Sequence, residues 1–131
     1  METKTTKADF KTFISRVSYW ASKLGVTNYE FYFVHRDLTD TDYDGSVATV
    51  QMNYLSKSAI FTLNAQWTES CNSKSLDRTA YHEVLHLLLY HLTYLASCRY
   101  GVTRNSLDEA EHSIIRSLEN AQFGIGFNKL N

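Results

Sequence analysis

The stretch Ala80-Tyr81-His82-Glu83-Val84-Leu85-His86-Leu87-Leu88-Leu89-Tyr90-His91-Leu92 decides how the rest of the chain is read. It holds no Gly or Pro and is rich in Leu, so it reads as one continuous helix. Being apolar nearly all round, it reads as a buried helix. His82 and His86 stand four residues apart and project from one face, so their imidazoles can grip a single ion. His-Glu-x-x-His on a helix most often grips zinc, with the glutamate as general base on a zinc-activated water. Two histidines and a glutamate in a buried helix need partners, because unpaired buried polar groups are costly. A metal satisfies all three at once. The simpler alternative is core histidines bonded to backbone or to each other.

Composition sets the frame. A chain of 131 residues is long enough for one domain, 1–131, with a core of its own. With 44% hydrophobic and 21% charged residues, it reads as a soluble globular protein. A net charge of −1 gives no electrostatic case for nucleic acid or an anionic membrane. The two cysteines, Cys71 and Cys98, form no CxxC pair and no disulfide framework, so free thiols in a reducing, cytoplasmic setting are expected. The start, Met1 to Lys7, is polar and does not read as a secretory leader. The longest apolar stretch, Val84 to Ala96, is broken by His91 and is too short to span a bilayer.

The flanks supply the other elements. Phe10, Phe13, Ile14, Val17, Trp20, Ala21 and Leu24 recur at helical spacing, predicting an amphipathic helix over 8–24 that stops at Gly25. Residues 29–35, 47–54 and 58–63 read as strands, the last two joined by a hairpin at Asn53 to Ser58. Gln66 to Ser75 reads as a polar loop, with Ser73 or Ser75 capping the motif helix. Gly101 and the polar residues to Ser106 precede a last helix over 107–122, and the Gly-rich tail from Phe123 reads as loosely held. Helix, three strands, helix, helix predicts an α+β domain: a small antiparallel or mixed sheet with helices on one side.

A catalytic zinc usually takes three protein ligands. His91 lies about 180° round the helix from His82, so it cannot reach the same ion and reads as a packing histidine. On the last helix, Leu107, Ala110, Ile114, Leu118 and Ala121 define an apolar face, and Glu111 falls within it. A glutamate on a buried face needs a positive partner. Zinc on His82 and His86 supplies one; an ion pair with Arg78, Arg99 or Arg104 is the alternative. Glu119 is the second candidate ligand.

On these residues the chain resembles a minimal gluzincin-type zinc metallopeptidase. It resembles most the small metallopeptidases of phage and prophage genomes. More distantly it is similar to SprT-like and ImmA/IrrE-like domains, with their zincin-like order of helix, sheet and HExxH helix. The likeness runs from Phe10 to Asn120, through Tyr19-Trp20, His-Glu-Val-Leu-His-Leu-Leu-Leu and Glu-His-Ser-Ile-Ile-Arg-Ser-Leu-Glu-Asn. It implies zinc on His82 and His86, an acid ligand matching Glu111 on a C-terminal helix, a catalytic Glu83, and a peptide or protein substrate. It does not imply which substrate.

Three further expectations follow. Tyr90, Tyr94, Tyr100, His112 and Arg104 are open as donors to the developing oxyanion. Ala59 to Leu63 is the guess for an exposed sheet edge on which a peptide adds as a strand. Asp40-x-Asp42-x-Asp44-Gly45 begins like a calcium loop, but Gln51 stands where its bidentate acid belongs, so a solvated acidic turn is preferred. Two rival functions remain: a zinc-stabilised, non-catalytic protein-binding module, and a metal-free interaction domain.

Overall fold

Thr6 and Asp9 start the first helix, α1 (Lys7–Lys23), through a reciprocal cap. The Asp9 amide donates to the Thr6 hydroxyl (3.1 Å) and the Thr6 amide to the Asp9 carboxylate (2.8 Å), an arrangement worth about 1 kcal/mol. The stripe Phe13, Val17 and Ala21 is buried. The chain turns at Gly25, whose φ of +71° glycine adopts without strain. A Cβ there would also overlap the carbonyl of Ser117, so the turn and a close helix approach need the same glycine. The structure, a computed structural model, describes residues 3–98 and 101–123.

The three main strands are β2 (Glu30–Arg36), β3 (Ala48–Asn53) and β4 (Ser58–Asn64), after a short β1 (Thr3–Lys4). They form a mixed sheet in the order β2-β4-β3, with β4 parallel to β2 and antiparallel to β3. Strand alternation and register bring Phe33, Phe61 and Val50 side by side, and likewise His35, Leu63 and Ala48. This face packs against α1 and the motif helix in one core. The opposite face exposes Tyr32, Val34 and Ile60. The α+β class with helices on one side of the sheet is therefore observed. The edge assignment is corrected: β4, containing Ala59 to Leu63, is the central strand, because both neighbours pair with it. The free edge beside the motif helix belongs to β3.

A second correction concerns the segment read as a polar loop. Gln66–Trp67 forms β5, antiparallel to β1, and Trp67 is fully buried. The motif helix, α2 (Ser73–Ser97), is capped by Asn72, not Ser73 or Ser75; the Ser75 hydroxyl instead accepts from the Asn72 amide. At 25 residues α2 is about 37 Å long. It is buried on one side only, through Leu76, Thr79, Ala80, Glu83, Val84 and Leu87. Tyr81, His82, His86 and Leu89 are exposed, so the expectation of a helix buried all round fails. A three-stranded sheet and α1 do not offer enough surface to surround so long a helix.

The last helix is α3 (Arg104–Phe123). Thr103 and Ser106 exchange side-chain-to-amide hydrogen bonds at its start. Its buried residue is Ala110, and Ser113 and Ser117 line a small crevice with Leu87, Leu88 and His91 of α2. Leu107, Ile115 and Leu118 are exposed. The packed face is thus rotated toward small residues, because close approach to Gly25 and α2 favours Ala and Ser over Leu. Among the described residues no helix is long and apolar enough to cross a membrane.

Candidate metal centre

The N-terminal half of α2 is held in place by α1. The Arg16 guanidinium Nε–H (2.6 Å) and the Trp20 indole N–H (2.8 Å) both donate to Asp77 Oδ1. These bonds hold the Asp77 carboxyl below its ordinary range. Trp20 also meets Tyr81 edge to face, with ring centroids 4.8 Å apart. Tyr81 immediately precedes His82, so the aromatic pair fixes the rotation of the helix that carries the motif.

From this frame His82 and His86 project one turn apart. Their Nε2 atoms converge to 3.1 Å, with the rings 76° apart. Two nitrogens each about 2.0–2.1 Å from one tetrahedral ion stand about 3.3 Å apart, so the pair is close to the bite of a zinc site. The same distance also accommodates a hydrogen bond between the rings. Both histidines are exposed, and so are not the core histidines of the simpler alternative.

Glu83 differs. It points inward and is only 6% exposed. Its carboxyl has no hydrogen bond or ion pair among the described residues. Burial alone pushes its pKa from 4.5 to about 7. Its oxygens keep contact with a neighbouring cavity, so among the described residues the fully buried side-chain atom without a partner is Trp67 Nε1.

Beside this trio lies a cavity of about 640 Å³. One wall is Ser46, Val47 and Ala48, leading into the β3 edge; the other is the start of α2 with Arg78, Thr79, His82 and Glu83. Buried Asn64 sets the first wall: its side-chain N–H donates to the Ser46 carbonyl (2.8 Å) and its Oδ1 accepts from the amides of Leu38 and Gln66. Lys74 and Arg78 complete the helical wall, with Glu69 beside them. Sequence reasoning did not place these cations here. Their positions, eight and four residues before His82, were the available signal.

The third ligand is not gathered in. Glu111 is exposed on α3 and not on its packed face, and Glu119 is half-buried. Among the described residues no group of three or more His, Cys, Asp or Glu is placed to hold one ion. His91 packs as expected: its Nε2 is 2.9 Å from the Tyr54 hydroxyl, and burial, then Lys57, lowers its pKa. Of the oxyanion candidates, the Tyr90 hydroxyl donates to the Met52 carbonyl (3.3 Å) and Tyr94 stacks on Tyr54 at 4.2 Å. His112 bonds the Asp108 carbonyl and Arg104 is exposed at the start of α3. Tyr100 and Arg99 lie outside the described residues. The acidic turn bonds to itself, the Asp40 amide donating to Asp44. Cys71 is half-buried, its thiol pushed up to about 11 by burial and by Asp9.

No family model, no curated protein and no solved structure matches the chain. The functional reading rests on the site itself.

Proposed function

We propose that this protein is a zinc-dependent metallopeptidase with its centre on α2. One observation carries the reading: Glu83, only 6% exposed and lining the cavity beside His82, sits between two histidines whose Nε2 atoms converge to 3.1 Å. A helix serving only as packing gains nothing from a desolvated carboxyl held at a cavity between two histidines. His82 and His86 would hold the ion. Two donors hold zinc weakly, so a third is proposed from α3, with Glu111 first and Glu119 second. Neither carboxylate has a hydrogen bond or ion pair among the described residues. Zinc at this place supplies Lewis acidity, polarising the scissile carbonyl and acidifying water.

Glu83 takes the proton of the attacking water and returns it to the leaving amine. Glu83 lines the cavity beside His82, which places its carboxyl for both steps. Tyr90 takes the Met52 carbonyl of β3, but beside the cavity, at Ala48, this edge offers backbone N–H and C=O groups to an extended peptide. The test is hydrolysis of a peptide library by zinc-loaded wild type and by Glu83→Gln. Cleavage falling about 10²–10⁴-fold with zinc retained supports the reading. A biological effect that survives Glu83→Gln points to the zinc-stabilised binding module.

A further inference from the structure

The cavity wall carries charge that the proposed hydrolysis does not use. Arg78 lies four residues before His82, on the same side of α2, and Lys74 one turn earlier. Arg16–Asp77 is the ion pair among the described residues, so Arg78 and Lys74 are left without one. Neither forms a hydrogen bond there. Glu69 is near, but lies beyond ion-pair distance of either. A planar guanidinium matches a carboxylate bidentately.

We infer that Arg78, supported by Lys74, anchors a carboxylate of the bound peptide in this cavity. The inference rests on the peptidase reading for the register of the peptide. One helical turn is about 5.4 Å, and alternate residues of an extended chain are about 6.8 Å apart. An acid held by Arg78 therefore falls within two residues of a carbonyl held beside His82. The carboxylate belongs to an Asp or Glu side chain or to the peptide C-terminus.

Two readouts test this. Zinc-loaded Glu83→Gln, which retains peptides without turning them over, is used to capture members of a random decapeptide library, once with free and once with amidated C-termini. Enrichment of Asp and Glu in both libraries assigns the side chain; retention only of free acids assigns the C-terminus. Either enrichment is expected to vanish when Arg78→Glu is added, and the exposed site lets that variant fold. In cleavage by zinc-loaded wild type, Arg78→Ala is expected to lower kcat/KM about 10- to 100-fold on acidic peptides and under threefold on neutral ones. Capture without a carboxylate preference, a preference intact in Arg78→Glu, or no capture at all overturns the anchor. Cleavage with no acidic preference overturns the anchor and leaves the peptidase reading standing. Arg78-dependent capture without cleavage does the reverse.

Discussion

Glu83 is the proposed general base, and its burial has a measurable consequence. In protein kept metal-free by chelator, the folded pKa of about 7 lies above the unfolded value of 4.5. The folded state thus holds its proton longer than the unfolded one. Stability contributed by that proton is intact below pH 4.5, falls between pH 4.5 and about 7, and stays lost above. The shift corresponds to about 3 kcal/mol at most. Glu83→Gln has no such proton to lose. Chelated Glu83→Gln should therefore be more stable than wild type at pH 8, by about 1–3 kcal/mol, and the gain should shrink toward pH 5. Urea titrations at the two pH values check this. A gain that does not change with pH would mean that Glu83 does not titrate between them.

At the scale of elements, the tie between α1 and α2 and the turn before β2 govern how the motif helix is set. Asp77 has a depressed pKa, so its stabilising contribution is present above about pH 4 and lost as pH falls through its folded value. The pair is partly exposed, which screens it. Asp77→Ala should cost about 1 kcal/mol at pH 7 and close to nothing at pH 2, read by thermal melts at both. Gly25→Ala should cost more, about 2 kcal/mol or above, since it combines a positive φ with a clash against the Ser117 backbone. An unchanged urea midpoint would contradict the close packing of α3 on that turn.

The same elements show what could be read in advance. α1, the three main strands, α2 and α3 announce themselves through periodicity of 3.6 or 2, which side-chain burial imposes locally. Strand order does not, because it depends on which edges meet across the sheet: nothing in Ala59 to Leu63 says that β2 will pair alongside it. Trp67 sits among polar neighbours, so its burial depends on pairing with β1, far away in sequence. The phase of α3 is not legible, because its large apolar residues mark one face while close helix contact selects Ala110, Ser113 and Ser117. Of the site, the His82–His86 pair was legible because it lies within one turn. Glu111 was placed on a buried face that the structure puts elsewhere, and the cavity wall of Arg78 and Lys74 needed β3 to complete it.

For the whole molecule, the proposed zinc site links metal to fold. Zinc that binds only the folded chain at about 1,000 times its Kd adds about 4 kcal/mol by mass action, or about 15 °C in Tm for a domain of this size. Verified zinc removal by chelator should lower the Tm by several degrees if α3 supplies the third donor. A drop under one degree would leave the ion on α2 alone.

The proposed hydrolysis depends on the binding of zinc by His82 and His86. This binding is tested most directly by metal analysis of protein purified without chelator, for wild type, His82→Ala and His86→Ala. About one zinc per wild-type chain is expected, and less than about a tenth of that in either variant, since the remaining donors hold the ion too weakly. Wild type without zinc, or full zinc in either variant, would contradict it.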